Sequence, residues 1–445
     1  MTELLFSVPD GPTRSSDEGT SGDPRVQRPN RTQLELRPVD LEGLLPADHR
    51  ARLVWAFVEG LDLQPLYAAI KAVEGHAGRP AIDPSILVAL WLYATLEGVG
   101  SARALARLCD EHDAYRWICG GVSVNYHTLA DFRVGHDPIL DGLLTQSVAA
   151  LMATGRVQLQ RIAQDGLKVR ASAGSGSFRR RGRLEHLLNE AAAHVQALRQ
   201  ELTDDPGATS RRQAAARERA ARERQARVKA ALAQLPALEA QAARRAAREG
   251  GRHKDPRVST TDAEARVMKQ ADGGYRPGYN TQFASDVPSQ AIVGVALTNA
   301  GVDVGQVGPM IDQVHQRYGV RPADVLVDGG YIGHEDFEYV GGPALGCTVY
   351  APVPAVRGEG RRRREPRESP VLTAWRARMA TPEAQAIYKA RAATAECVNA
   401  QARQRGFRQV LVRGLTKVRA VALWYALAHN FRRALALATP VEQWA

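Results

Sequence analysis

Arg161-Ile162-Ala163-Gln164-Asp165-Gly166-Leu167-Lys168-Val169 is the stretch at which the periodicity of this chain changes. From Leu41 to about Ala153 apolar residues recur at helical spacing, whereas here apolar and polar residues begin to alternate, as the two faces of a strand require. Gly and Ser follow at Ala173–Ser177 and break the pattern. The stretch predicts a strand ending near a carboxylate, placed where an all-helical region gives way to a mixed one.

On the upstream side, Asp83 precedes Pro84 and the apolar run Ile86-Leu87-Val88-Ala89-Leu90-Trp91-Leu92, which predicts a helix capped by Asp83 with proline at its first position. Ser101 opens another helix reaching Cys109, Glu111–Ile118 gives a short third segment, and Gly120-Gly121 breaks the chain before Ser123–Arg133. That succession resembles a helix-turn-helix. Its last helix would present Asn125, Tyr126, His127 and Arg133 to phosphates or base edges, although Asn125 and His127 could equally cap and pack the helix. Met1–Asn30 is rich in Ser, Gly, Pro, Asp and Arg without apolar periodicity, so a disordered tail is expected over residues 1–35.

Downstream, residues from about Arg183 to Glu249 are mostly Ala, Arg, Glu, Gln and Leu, interrupted only at Asp204-Asp205-Pro206-Gly207 and Pro236. A charged helical hairpin or short coiled coil is expected, inserted over residues 178–256. Such helices usually carry a solvated face, and the excess of Arg leaves DNA contact as the second reading. Strand signals return at Gly278–Val287 and Ala291–Leu297, joined through Pro288-Ser289-Gln290. Val304–Tyr318 has helical spacing, Val325–Asp328 reads as a short buried strand, Glu335–Val340 as a helix and Thr348–Ala351 as a further strand. Strands and helices in this order make an α/β layer with helices on the sheet faces.

Composition narrows the function. The 445 residues carry a formal charge of +11 and a pI near 9.7, which favours a polyanionic partner because cationic side chains release its condensed counterions. No run of about 18 apolar residues occurs, so no membrane span is expected. Glu3 and Asp10 near the N-terminus give the wrong layout for a secretory signal, so a cytoplasmic location is expected. The four cysteines, Cys109, Cys119, Cys347 and Cys397, show no close pairing of the kind that clips zinc.

Two acids stand before glycine after apolar runs: Asp165-Gly166 and Asp328-Gly329-Gly330-Tyr331. A carboxylate at a strand end faces the crevice where α/β sheets gather ligands, though each could also be a turn-capping Asp. A third acid comes from the helix expected over Glu383–Gln404, whose one interior acid past the first turn is Glu396. Tyr388, Glu396 and Arg403 lie eight and then seven residues apart and share a helical face, with Arg391 toward the same side. For an isolated helix, Glu396 would read instead as a surface acid in an ion-pair ladder with Arg391 and Arg403. Three such carboxylates suit two hard divalent cations, Mg²⁺ or Mn²⁺, about 3.5–4 Å apart, which can activate water or a 3′-hydroxyl at a phosphodiester. Asp286, Asp303 and Glu335 are reserve candidates.

The order Asp165-Gly166, Asp328-Gly329-Gly330-Tyr331-Ile332-Gly333, then Tyr388-x2-Arg391-x4-Glu396-x6-Arg403 resembles the DDE transposases of bacterial insertion sequences. Within that group of transposases the pattern looks most like insertion sequence family 1182, of the wider insertion sequence 4 and 5 group. The likeness runs from about Leu45 to Arg432 and includes Arg79-Pro80-Ala81-Ile82, Tyr279-Asn280-Thr281-Gln282 and Ala392–Glu396. It implies an all-helical N-terminal DNA-binding domain, residues 36–155, followed by a ribonuclease-H-like catalytic domain, residues 156–440. It further implies metal binding by Asp165, Asp328 and Glu396, and phosphate positioning by Tyr388, Arg391 and Arg403. The expected partners are double-stranded transposon ends and target DNA in a bacterial nucleoid, with a homo-oligomer in the synaptic complex. Two departures stand out: Arg403 replaces the group's usual Lys, and four residues rather than the frequent three separate Arg391 from Glu396. An inactive or domesticated DNA-binding relative, and a nuclease on the same fold, are the alternatives.

Overall fold

The computed structural model describes residues 40–73, 75, 80–204, 210–249, 255–354 and 369–438. The tail expected over 1–35, Arg79 of the quoted motif, and 205–209 and 250–254 of the insertion lie outside the described residues.

Among the described residues, seven α-helices precede the sheet: α1 (Arg50–Glu59), α2 (Gln64–Ala68), α3 (Pro84–Leu96), α4 (Ala102–Glu111), α5 (Asp113–Cys119), α6 (Tyr126–Gly135) and α7 (Asp137–Ala153). Local chemistry sets their ends. Asp83 accepts from the Ser85 amide with Pro84 at the first helical position, Ser101 accepts from Ala104, and Gly120 closes α5 at φ 55°. The sheet region follows with β1 (Arg161–Arg170), β2 (Phe178–Arg179), α8 (Arg181–Asp204), α9 (Arg211–Glu249), β3 (Val258–Ser259), β4 (Arg266–Lys269), β5 (Tyr275–Asp286) and β6 (Ile292–Thr298). After these come α10 (Val307–Tyr318), β7 (Asp324–Leu326), α11 (His334–Gly341), β8 (Thr348–Tyr350), α12 (Pro370–Met379), α13 (Pro382–Arg391), a π-helical segment (Ala392–Glu396), α14 (Cys397–Gln404) and α15 (Leu415–Ala438).

The sheet is mixed, in the order β4-β5-β1-β7-β8 with β6 also on β5. β1 pairs antiparallel with β5 over its length and parallel with β7 only through Arg161, Ile162 and Ala163. The strand therefore does not end at Asp165, as its alternation suggested, but runs on to Arg170, because β5 supplies backbone partners beyond the point where β7 stops. The expected hairpin insertion is α8 and α9, with α9 continuing through Pro236. Leu184, Val228 and Leu235 form its lower core, and ion pairs tie its outer faces: Arg181 to Glu239, Arg199 to Glu218 and Arg217 to Glu201.

α15 decides how the helical layer and the sheet meet. It is buried continuously from Ala420 to Phe431, and one apolar cluster holds Trp91 of α3, Trp424 of α15 and Phe283 of β5. Trp91 Nε1 donates to the Leu129 carbonyl at 2.9 Å and Trp424 Nε1 to the Arg133 carbonyl at 3.0 Å, so α3 and α15 both anchor on α6. Burying one such side chain is worth about 3 kcal/mol. Arg419 of α15 bonds Asp137 and Asp141 of α7 at 2.5 and 2.6 Å. The described residues from 41 to 438 form one compact unit, with α15 completing the core of the N-terminal helices. No described helix is long and apolar enough to cross a membrane.

Candidate active site

β1 outruns β7, and this offset creates the site. Ala163 is level with Leu326, so two residues further along each chain bring Asp165 and Asp328 level at the place where β7 has ended. Asp165 lies mid-strand with its Oδ1 accepting from the Gly166 amide at 2.8 Å. Asp328 follows β7 and caps the 3-10 turn Gly329–Tyr331 by accepting from the Gly330 amide at 2.8 Å. The capping role thus coexists with a carboxylate facing the crevice.

The third acid arrives from α13 and its continuation. The helix expected as one α-helix over Glu383–Gln404 changes to π geometry at Ala392–Glu396 before resuming as α14. In an unbroken α-helix residues five apart lie about 140° from one another around the axis. The wider π turn brings Arg391 and Glu396 onto one side, where Arg391 Nη1 donates to Glu396 Oε1 at 2.7 Å. The additional residue between this Arg and Glu is taken up as that turn.

Arg391 is the hub of the site. Its Nη2 lies 3.7 Å from Asp165 Oδ2 and 3.6 Å from Asp328 Oδ2. One guanidinium, its side chain 9% exposed, therefore reaches three carboxylates drawn from β1, the loop after β7 and the π turn. Burial pushes the Asp165 carboxyl up to about 6; Arg391 pulls it down, while Asp328 and Asp303 push it further up. Arg391 itself is held more firmly protonated: its burial works against the charge, but Asp165 and Glu396 outweigh that. Tyr388 stands beside the same group, its hydroxyl raised by burial, with Arg391 opposing and Asp328, Glu396 and Asp165 adding. Arg403 is half-buried on α14, with no carboxylate within 4.0 Å among the described residues.

A buried polar layer lies on the opposite face of β1. Gln164, Gly166 and Lys168 alternate there, across from Ala284, Gln282 and Asn280 of β5. Asp303 sits over Gly166, accepting from Asn280 Nδ2 at 2.6 Å and Gln282 Nε2 at 2.8 Å, with the Lys168 ammonium 3.9 Å away. Gln282 also accepts from Gln164 at 3.1 Å and from the buried Tyr331 hydroxyl. A β-carbon on Gly330 would lie 3.0 Å from Asp328 Oδ1 and 3.6 Å from Asp303 Oδ2, which places Asp303 as a fourth acid at the site's edge. The other reserve acids are elsewhere: Asp286 clamps the β5–β6 turn through Leu159 and Ser289, and Glu335 is exposed in the first turn of α11. Sequence reasoning missed Gln164, Lys168 and Tyr331. The signal for Gln164 and Lys168 is faint, polar side chains at alternate positions of β1, and Tyr331 stands in the turn after Asp328.

The helix-turn-helix residues divide. Asn125 caps α6 by accepting from the His127 and Thr128 amides at 3.0 Å. His127 is exposed and lies tilted against Tyr126 at 4.0 Å between ring centroids, with the Arg103 guanidinium over the Tyr126 ring. Arg133, expected on the DNA-facing surface, turns inward instead: it is 8% exposed, donates to the Gly100 carbonyl at 2.6 Å and lies 4.6 Å from the Trp91 ring centroid. Its position in the last turn of α6 faces α3 and α15, so the guanidinium is spent in the core.

The donor set is all oxygen, which suits a hard divalent cation. Four carboxylates against Arg391 and Lys168 leave a formal excess of two negative charges. Among the described residues no three His, Cys, Asp or Glu side chains stand together as a ready-made cage; Arg391 holds the acids apart around itself.

Comparison with known families agrees with this chemistry. Residues 39–134 match the family described as Transposase domain (DUF772), and residues 347–435 match the Transposase DDE domain. Neither a curated protein nor a solved structure matches the chain. The chain thus carries transposase domains toward both ends, which define a class of proteins acting on DNA in transposition and recombination. Together they support a DDE transposase, an enzyme type that generally uses divalent metals. Arg391 and Glu396 fall within the second matched stretch, whereas Asp165 and Asp328 lie outside both.

Proposed function

We propose that this chain binds the ends of a bacterial insertion sequence, hydrolyses the terminal phosphodiester to free a 3′-hydroxyl, and joins that hydroxyl to target DNA. The observation that carries the reading is the convergence of Asp165, Asp328 and Glu396 on the single Arg391 guanidinium. The mixed sheet, antiparallel on one side of β1 and parallel on the other, with helices packed on it, supports the ribonuclease-H-like reading. The pattern of Tyr388, Arg391, Glu396 and Arg403 supports the branch near insertion sequence family 1182. A homo-oligomer synapsing two ends in the bacterial cytoplasm follows from the same likeness.

Asp165, Asp328 and Glu396 would hold two Mg²⁺ or Mn²⁺ ions. Bound there, the metals supply an activated oxygen nucleophile and stabilise the leaving oxygen. The protein's own part is positioning. Asp165 is fixed by β5 pairing, Asp328 by its turn and Glu396 by the π segment, so the donors come from rigid elements rather than a free loop. Arg391 neutralises the acids in the absence of metal; once their charge is otherwise met, its planar guanidinium can hold a DNA phosphate bidentately. Tyr388 and Arg403 complete the phosphate contacts, and Tyr126 and His127 offer an exposed surface to the duplex. Asn125 contributes as the cap that orients them.

Asp165→Asn and Glu396→Gln should bind duplex DNA yet lose cleavage in Mg²⁺, and Mg²⁺ should raise the melting temperature of the wild-type protein but not of the variants. Cleavage retained by either variant would reject the assignment. Joined strand-transfer products separate a transposase from a nuclease that only hydrolyses.

A further inference from the structure

Five arginines of the hairpin of α8 and α9 have a glutamate within 4.0 Å, but most of those gathered at its base do not. There a cavity of about 430 Å³ is lined by Arg179 of β2, Arg183 of α8, Arg224 and Arg227 of α9, Thr261 after β3 and Arg413 of the loop before α15. Arg183 lies 3.8 Å from Glu190. The other four arginines have no carboxylate within 4.0 Å among the described residues; Arg179 and Arg413 donate only to the backbone carbonyls of Phe178 and Ser172. This contrasts with Arg181, Arg199, Arg217 and Arg222 of the same hairpin, each of which has a glutamate within 3.1 Å. Like charges gathered about one space repel, and the arrangement gains free energy only from an anion brought among them.

We infer that this basal cavity is a second DNA-contact site, which takes the phosphate backbone of duplex DNA at a distance from the acids. The inference rests on the DNA-acting reading above and gives the inserted hairpin a role within it. Planar guanidinium groups from several separate elements suit phosphodiester oxygens, which each can meet with paired donors. The position is also right. Arg413 Nε donates to the Ser172 carbonyl, and Ser172 lies just beyond the end of the strand that carries Asp165. At about 3.3 Å per residue the cavity lies roughly 20 Å along β1 from that acid. A duplex with its reacting phosphate at the acids would set backbone about six base pairs away against the hairpin base.

The test uses the full chain and a linear, mixed-sequence duplex of about 40 base pairs, with fluorescence anisotropy read between about 50 and 200 mM salt. Arg224→Ser with Arg227→Ser removes two unneutralised charges from the α9 surface. Arg199→Ser with Arg217→Ser removes the same formal charge from arginines already paired with glutamate. Losing two phosphate contacts should flatten the plot of log affinity against log salt by about 1.8, close to a tenfold change in relative affinity across that range. The control pair should leave the slope near wild type. An unchanged slope in the basal variant, or equal flattening in both, overturns the assignment while the wild-type binding upholds the DNA-acting reading; a wild-type chain that does not bind the duplex overturns both.

Discussion

Replacing Gly166 with alanine tests whether the two faces of β1 are mechanically linked at the site. A β-carbon there would overlap Asp303 Oδ1 and come within 2.9 Å of both Asn280 Oδ1 and Gln282 Nε2. None of these is a loose end. Asp303 is held by both amides and faced by Lys168, while Gln282 is tied to Gln164 and Tyr331. The methyl therefore displaces a bonded layer, and overpacking of this kind costs about 1–3 kcal/mol. Loss of one hydrogen bond adds about 1 kcal/mol, and the entropy advantage of Ala over Gly returns less than about 1 kcal/mol. A net loss of about 2 kcal/mol is expected in urea unfolding. DNA cleavage should fall by about a hundredfold at temperatures where the variant is folded, because a shift near 1 Å at a reacting group has that effect. The companion measurement is the double variant Gly166→Ala with Asp303→Ala, which removes the overlap and should recover at least about 1 kcal/mol relative to additivity. Strict additivity, or a Gly166→Ala protein as stable as wild type, would refute the packing argument.

Two further outcomes are expected. His429 of α15 donates from Nε2 to the Gln290 carbonyl at 2.8 Å, and burial lowers its pKa to about 4, with Gln290 opposing and Arg433 reinforcing the shift. Because the folded value lies below the ordinary 6.5, the unfolded chain takes up the proton first. Stability is whole above about pH 6.5 and falls as pH drops toward 4, by about 2 kcal/mol at pH 5. Urea titrations at pH 7.5 and 5 should show that loss in wild type and less of it in His429→Gln, and an equal pH dependence would exclude His429 as its source. Arg133→Ala should lower stability by about 3 kcal/mol, through the lost Trp91 contact and an unpaired Gly100 carbonyl. DNA affinity of the folded variant should stay within about twofold of wild type, and a larger drop would return Arg133 to the binding surface.

Features governed by short-range chemistry were legible along the chain. Asp83 caps its helix as expected, Ser101 caps the helix it was expected to begin, and Asn125 takes the capping role that stood beside DNA contact, because a side-chain oxygen before a run of helical residues has orphan amides within reach. Alternation at Ile162–Val169 marked the central strand, and the Asp-Gly pairs pointed to carboxylates at the sheet. Which groups share a space depended instead on how distant elements pack. Asp165 lies mid-strand yet faces an opening because a different strand, β7, ends early beside it. Glu396 meets Arg391 because the helix widens into a π turn, which a fixed 3.6-residue period does not foresee. Arg133 and Asp303, both polar in sequence, went opposite ways: one into the helical core under Trp91, the other over Gly166 beside the acids. Period and propensity depend on neighbours in the chain, whereas burial and electrostatic partnership depend on elements hundreds of residues away, such as α15 closing the core that α3 began.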